Sequence, residues 1–99
     1  MATPKLTAPQ IPKEHIEQYG IYMRSDAWAG IRKLVLERDA HSCQACCVGD
    51  VLLHVHHLTY SRLFREHIDD LICLCVPCHD TLHDVARKQR AKLTRHAPH

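Results

Sequence analysis

The chain has 99 residues, six cysteines, ten histidines and a formal net charge of +2. This length predicts one small domain with a modest core, a class that often depends on bound metal or disulfides. The N-terminus lacks a signal-peptide pattern and no apolar run approaches the roughly 20 residues that span a bilayer, so we expect a cytoplasmic protein without a membrane segment.

The first predicted element follows a proline-rich segment, residues 1–18, which we expect to be a flexible arm. Ser25 is suited to cap a helix, and Trp28 and Val35 follow at helical spacing. This pattern predicts an amphipathic helix over residues 26–38. Trp28 is interpreted as a core anchor, with stacking on a nucleic-acid base as the alternative.

The second half of the chain predicts a strand, a short apolar segment and a second helix. Residues 51–58, VLLHVHHL, are rich in aliphatic and β-branched groups, which favours a strand. A polar connection, residues 59–70, leads to the apolar segment 71–74. A helix is then predicted from Pro77, because proline is tolerated in the first turn.

Basic residues cluster at the C-terminal end of the chain. From Val85 onward there are five basic residues and no acidic one, whereas the rest of the chain has eight basic and eleven acidic residues. This asymmetry suits contact with nucleic-acid phosphates, with a solvated helix end as the alternative. We therefore divide the chain into the arm, a domain over residues 19–90 and a basic tail over residues 91–99.

Four cysteines form two CxxC pairs: Cys43 with Cys46, and Cys75 with Cys78. In a reducing compartment this spacing predicts a tetrahedral thiolate zinc site, which is closed to water and substrate and is therefore structural. Cys47 is an alternative to Cys46 in the first pair. Cys73 is interpreted as a buried small hydrophobic residue.

Two histidines, His79 and His83, follow the second pair directly. On a helix they lie on one face and can hold one ion, whereas Cys78 and His79 point about 100° apart. A third imidazole, from His56 or His57, can come from the end of the predicted strand. The spacing therefore predicts a working metal on the imidazoles in addition to a structural metal on the thiols.

The motifs around these ligands resemble the HNH endonuclease family, the ββα-metal nucleases, in its four-cysteine zinc form. They are HHLTY at 56–60 and DLICLCVPCHDTLH at 70–83, preceded by YGIYMRSDAWAGIR at 19–32 and CQAC at 43–46. The upstream segments are similar to the lead-in of phage and bacterial members. The resemblance spans about residues 19–84 and implies an α+β fold, a small zinc-stabilised, treble-clef-like domain with an N-terminal helix, encoded by a bacterium or a phage.

The resemblance implies a role for each residue that matches a family motif. His57 matches the general base, and His56, His79 and His83 match the ligands of a catalytic divalent cation. Asp70 stands where the family usually has asparagine. We expect Asp70 to accept a hydrogen bond from Nδ1–H of His57 and so fix its tautomer, or alternatively to reach the metal.

The implied activity is metal-dependent hydrolysis of DNA phosphodiester bonds, by nicking or double-strand cleavage, which leaves 5′-phosphate and 3′-hydroxyl ends. Three imidazoles suit Mn²⁺, Co²⁺, Ni²⁺ or Zn²⁺ more than Mg²⁺, which prefers oxygen ligands but is still a candidate. Glu66 and Tyr60 are expected to brace the site, and His54 is left outside the ligand set. The candidate DNA contacts are Arg62, Arg65, Arg87, Lys88 and Arg90, with simple surface charge as the alternative.

A competing hypothesis is a non-catalytic zinc module that binds nucleic acid through its basic end. It predicts salt-dependent binding without a cleavage product. A redox or metal-storage protein is a third interpretation, which would need accessible thiols of low pKa. The sequence leaves the choice between monomer and homodimer undetermined, and it gives no base preference.

Overall fold

The computed structural model describes residues 6–96, which form an α+β fold of three α-helices and one two-stranded sheet. In chain order the elements are α1 (Ile16–Tyr22), α2 (Asp26–Arg38), β1 (Leu53–His57), β2 (Leu71–Cys75) and α3 (Val76–His96). Short 3₁₀ turns at Lys13–His15 and Ile68–Asp70 precede α1 and β2. Residues 1–5 of the predicted arm and residues 97–99 of the predicted tail lie outside the described residues.

The predicted helix over residues 26–38 is confirmed as α2. The Ser25 hydroxyl accepts a hydrogen bond from the Trp28 N–H at 3.2 Å, which satisfies one of the free donors in the first turn. Trp28 and Val35 are both buried, seven residues apart on one face. Trp28 is therefore a core residue, as the helical spacing predicted.

Helix α1 was not predicted, and it begins inside the segment that we expected to be a flexible arm. None of its residues is buried and no side chain caps its N-terminus, so it lacks the cap and the buried face that α2 has. It leads through a turn into α2. Its aromatic residues nevertheless reach the sheet, because Tyr19 lies edge-on to the His57 ring with the two centroids 6.0 Å apart.

Strands β1 and β2 form an antiparallel hairpin in which Leu53 pairs with Cys75 and His57 with Leu71. The predicted strand over 51–58 is confirmed for its central five residues. Successive side chains of a strand point to opposite faces of the sheet. Neighbouring histidines of β1 therefore face different helices, and this alternation decides the layout of the site.

All five residues of β2 are buried, and they form the centre of the core with α2. The end of α2 is fastened to this strand by two charged residues. Arg38 donates to the carbonyl of Leu71 at 2.6 Å, and the Asp39 carboxylate accepts from the Cys73 N–H at 2.9 Å. Helix α3 follows β2 without a loop, with Pro77 in its first turn as predicted.

Candidate metal centres

The four cysteines of the two CxxC pairs come together at one end of the hairpin. Their sulfur atoms all lie within 4.8 Å of one another, and Sγ of Cys46 and Sγ of Cys75 are 3.7 Å apart. A tetrahedral zinc with Zn–S bonds of about 2.3 Å would hold its sulfurs about 3.8 Å apart. The group contributed by Cys43, Cys46, Cys75 and Cys78 is therefore compatible with a structural zinc site.

The two remaining cysteines are outside this group for different reasons. Cys47 has a φ of 69°, and its sulfur is not among the four that lie within 4.8 Å of one another. Cys73 is completely buried in β2, where burial and the nearby Asp39 carboxylate raise the pKa of its thiol to about 12. Cys46, rather than its neighbour, is thus the second cysteine of the first pair, and Cys73 is a core residue.

Backbone donors favour the thiolate form of Cys43, one of the four cysteines. Burial raises the pKa of the Cys43 thiol, but N–H groups of Cys75, Cys46 and Ala45 that donate to its sulfur outweigh burial and bring the pKa to about 6. Zinc binds thiolates rather than thiols, so this arrangement of N–H groups favours the ligand form.

Three imidazoles form a second group that shares no residue with the first. His56 comes from β1, and His79 and His83 lie one turn apart on α3. One ring nitrogen of each lies within 4.8 Å of the other two, and the His79 and His83 centroids are 4.4 Å apart. This group could hold a metal ion, and it joins the strand to the helix.

His56 is buried and one of its ring nitrogens has a partner. Its Nε2 lies 2.5 Å from the Thr7 carbonyl oxygen, which can only accept a hydrogen bond, so Nε2 carries the ring proton and Nδ1 has the lone pair. Desolvation, opposed by this hydrogen bond and assisted by the neighbouring histidines, lowers the pKa of His56 to about 4. The imidazole is therefore neutral at pH 7, which is the form that binds metal.

The neutral form of the two helical histidines is also favoured. Burial lowers the pKa of both His79 and His83. The neighbouring His83 and His54 lower the pKa of His79 further, and Arg90 lowers that of His83. His54 stacks on His79 with centroids 4.7 Å apart, but it is not a member of the three-imidazole group. An open groove lined by Asp80, Thr81, His83, Asp84 and Arg87 runs beside the group.

His57 lies on the opposite face of β1 from His56. Its ring is stacked between Trp28, with centroids 5.3 Å apart, and Tyr60, with centroids 4.7 Å apart, and only 2% of the residue is exposed. Its Nε2 is 2.7 Å from Oε2 of Glu66. The structure therefore encloses the residue that the sequence analysis expected to be free to activate water.

Asp70 is placed differently from either expectation for it. Its carboxylate accepts from Arg62 Nε at 2.8 Å and from the His67 N–H at 3.0 Å, and the latter contact closes the 3₁₀ turn before β2. Among the described residues it makes no hydrogen bond to His57 and is not part of a metal-binding group. Asp70 supports the connection between the strands, and Glu66 is the carboxylate that contacts His57.

The candidate DNA contacts differ in how free they are to bind phosphate. Arg62 is paired with Asp70, although its side chain is 54% exposed. Arg87 and Lys88 are exposed and pair with Asp84 on α3. Arg65 is exposed, whereas Arg90 donates to the Ala8 carbonyl at 3.0 Å and so contacts the N-terminal segment.

Three residues of the site were not identified as participants by the sequence analysis: Thr7, Ala8 and Tyr22. Tyr22 donates to Oε1 of Glu66 at 2.6 Å, and the Thr7 hydroxyl donates to the Leu58 carbonyl at 2.6 Å. No short motif marks them, because each contacts a residue more than 40 positions away in the chain.

Comparisons with known proteins leave the site to be interpreted from its own chemistry. No protein-family model matches the chain, and no curated protein or solved structure matches it significantly. None of the helices within residues 6–96 is long and apolar enough to cross a membrane. The structural findings are thus a four-cysteine group and a three-histidine group in a small α+β fold, with a hairpin followed by a helix.

Proposed function

We propose that this domain is a metal-dependent endonuclease of the HNH, ββα-metal type, which hydrolyses phosphodiester bonds in DNA. The observation that carries the proposal is the convergence of His56, His79 and His83 from a strand and the following helix, at a position distinct from the four-cysteine group. Structural zinc sites are closed, whereas three protein ligands leave coordination positions for substrate or water. The second group therefore has the composition of a working site.

His56, His79 and His83 would hold a divalent cation, which would supply Lewis-acid stabilisation of charge on the phosphoryl and leaving oxygens. The chain itself supplies the proton acceptor. His57 takes a proton from water as the water oxygen bonds to phosphorus and the bond from phosphorus to the 3′ oxygen breaks. The 3′ oxygen takes a proton from solvent, so the products are a 5′-phosphate and a 3′-hydroxyl. General-base catalysis typically contributes about 10²–10⁴-fold to the rate.

The enclosure of His57 requires the site to open when DNA binds. Tyr60, which covers one face of the imidazole, lies in the connection between β1 and β2 rather than in a strand. Loops of this kind are the segments that most readily move at a binding site. We expect the Tyr60 side of the pocket to open, because the Trp28 side is part of the core.

DNA binding is assigned to exposed basic residues of the connection between the strands and of α3. Arg65 lies in the connection that contains Tyr60. Arg87 and Lys88 lie on α3, and Arg87 lines the groove at His83. Contacts from these side chains to phosphates carry little sequence information. Binding through them is expected to weaken with salt, because each phosphate contact releases counterions.

Cleavage of supercoiled plasmid in the presence of Mn²⁺ tests the proposal. The parent protein should give nicked or linear product, and His57→Ala should lower the rate by at least about 100-fold. His79→Ala should remove activity by removing one ligand.

His41→Asn is the matched control, because His41 is exposed at a φ of 52° that asparagine tolerates. A parent that cleaves with none of the five candidate cations, or a His57→Ala variant as fast as the parent, would contradict the proposal.

The burial of His57 favours one alternative function, a non-catalytic zinc module that binds nucleic acid. In that case His57 is a core histidine paired with Glu66, and the basic residues alone act on DNA. A gel shift that weakens with salt, without nicking in Mn²⁺, Mg²⁺, Ni²⁺, Co²⁺ or Zn²⁺, would support this alternative. Nicking that depends on His79 would exclude it.

A further inference from the structure

Glu66 is a buried carboxylate with two different partners. Its side chain is 1% exposed, like that of His57. Oε1 accepts from the Tyr22 hydroxyl at 2.6 Å, and Oε2 lies 2.7 Å from Nε2 of His57. Because a carboxylate only accepts hydrogen bonds, the His57 nitrogen that faces it must carry a proton.

The surroundings of the His57 ring leave it one orientation. Trp28 stacks on one face with an interplanar angle of 11°, and Tyr60 stacks on the other face at 26°. A ring held between two aromatic faces keeps its plane. The contact with Glu66 then fixes the rotation of the ring within that plane, with Nε2 facing the carboxylate. Nδ1 makes no hydrogen bond within residues 6–96, so in the neutral ring with its proton on Nε2 the lone pair lies on Nδ1.

We propose that Glu66, held by Tyr22, is a positioning residue that fixes His57 in the Nε2–H tautomer and makes Nδ1 the nitrogen that takes the proton from water. The transfer of a proton from water to Nδ1 rests on the proposed function, whereas the tautomer does not. As the water oxygen bonds to phosphorus and the bond from phosphorus to the 3′ oxygen breaks, a water proton moves to Nδ1, and solvent protonates the 3′ oxygen. The resulting imidazolium keeps its Nε2–H bond to the Glu66 carboxylate. The carboxylate thereby stabilises the charge that develops on the base.

Because the Tyr22 hydroxyl donates to one oxygen of Glu66, replacement of the other oxygen by an N–H₂ group changes the hydrogen bond to His57. In Glu66→Gln, the amide oxygen is favoured on the side of Tyr22, which donates to it, so the amide N–H₂ faces Nε2 of His57. An N–H₂ group needs an acceptor there, and the ring proton then moves to Nδ1. The substitution preserves shape but reverses the direction of the hydrogen bond.

Long-range ¹H–¹⁵N NMR of the zinc-loaded protein at pH 8 tests the tautomer without reference to activity. The parent should show His57 protonated at Nε2 and unprotonated at Nδ1, and Glu66→Gln should move the proton to Nδ1. Adding Tyr22→Phe to Glu66→Gln should return part of the Nε2–H form, because the amide is then free to turn. Glu37→Gln, an exposed glutamate on α2, is the control and should leave the tautomer unchanged. A parent protonated at Nδ1 would overturn the proposal, and so would a tautomer insensitive to Glu66→Gln.

Plasmid cleavage then tests the catalytic consequence. Glu66→Gln should lower the cleavage rate by about 10- to 100-fold relative to Glu37→Gln, with equal zinc content and equal far-ultraviolet circular dichroism. A variant that changes tautomer and still cleaves at the parental rate would overturn the positioning role. Failure of the parent itself to cleave overturns the proposed function instead, and the NMR result distinguishes that outcome from failure of the tautomer assignment.

Discussion

Asp70 and Glu66 show how four residues of separation assign two carboxylates to different tasks. Asp70 immediately precedes β2, and its side chain closes a capping box with His67, which satisfies backbone donors of the 3₁₀ turn. Glu66 lies before that turn, where the chain folds back towards Tyr22 and His57. Asp70 therefore does not hold His57, because its carboxylate caps the 3₁₀ turn. Glu66 makes the contact with His57 instead.

The role of Asp70 predicts a mild effect for Asp70→Asn. The amide keeps an oxygen for the His67 N–H, but it loses the charge that pairs with Arg62, whose guanidinium holds the pKa of Asp70 below its usual value. We expect the free energy of unfolding to fall by about 1 kcal/mol at pH 7, because the Arg62 side chain is largely solvated. Urea denaturation of the zinc-loaded protein measures the change.

The control for this substitution is Asp69→Asn, since the Asp69 side chain is 77% exposed. It should change the unfolding free energy by less than about 0.5 kcal/mol. Plasmid cleavage by Asp70→Asn should stay close to the parental rate. A large loss of cleavage at unchanged stability would instead mean that Asp70 takes part in the chemistry.

The sequence predicted the ligands at the residue scale because their spacing is local. Each CxxC pair and the His79–His83 pair falls within about one turn of chain, so the geometry that brings the donors together is contained in the motif. The residues that hold the ligands and His57 have no such signature. The partner of His56 is a backbone carbonyl 49 residues away, which a residue of any type at position 7 would provide.

At the scale of elements, the sequence predicted α2 and the strands, which bury residues, and it predicted α3 from the proline in its first turn, but it missed α1. Helix α2 has a cap and two buried residues on one face, and β2 is apolar throughout. Helix α1 has neither a side-chain cap nor a buried residue, so its position is set by the contacts of Tyr19 and Tyr22 with the rest of the fold. Tertiary contacts of this kind leave no periodic pattern in the sequence.

The N-terminal segment Leu6–Ala8 joins β1 to α3 over the three-histidine group. Thr7 contacts both His56 and the Leu58 carbonyl, and the Ala8 carbonyl accepts from Arg90. A hydrogen bond to the second nitrogen of a ligating histidine orients the ring, and its loss typically weakens metal binding by about 10- to 100-fold. We expect that loss when residues 2–8 are removed.

Titration with Co²⁺, followed by absorption and by calorimetry, measures this effect in protein whose thiol site already holds zinc. The matched control lacks residues 2–5 only and keeps Thr7 and Ala8. It should bind Co²⁺ with the affinity of the full chain. Equal or tighter binding by the shorter variant would mean that the Thr7 carbonyl does not orient His56 for metal.

At the scale of the whole molecule, the two candidate metal groups are built on the same hairpin and helix. Cys75 ends β2 and Cys78 lies in the first turn of α3, and His79 is the next residue. The thiol group therefore fixes the start of the helix that carries two of the three imidazoles. We therefore expect the geometry of the histidine group to depend on the thiol group, and the thiol group not to depend on the histidines.

This dependence predicts an ordered response to metal removal. Structural zinc typically contributes roughly 10–16 kcal/mol of apparent binding energy, which rivals the roughly 5–15 kcal/mol stability of a whole domain. A weak chelator should first empty the histidine group with no change in far-ultraviolet circular dichroism. A strong chelator should then remove the thiol-bound zinc and unfold the chain, and the release of one zinc per chain should coincide with the loss of helical signal.

Cys46→Ser should behave as the stripped protein, whereas Cys47→Ser should behave as the parent, because only Cys46 belongs to the sulfur group. A chain that keeps its helical signal after losing the thiol-bound zinc would show that the core of α2 and β2 holds the fold without metal.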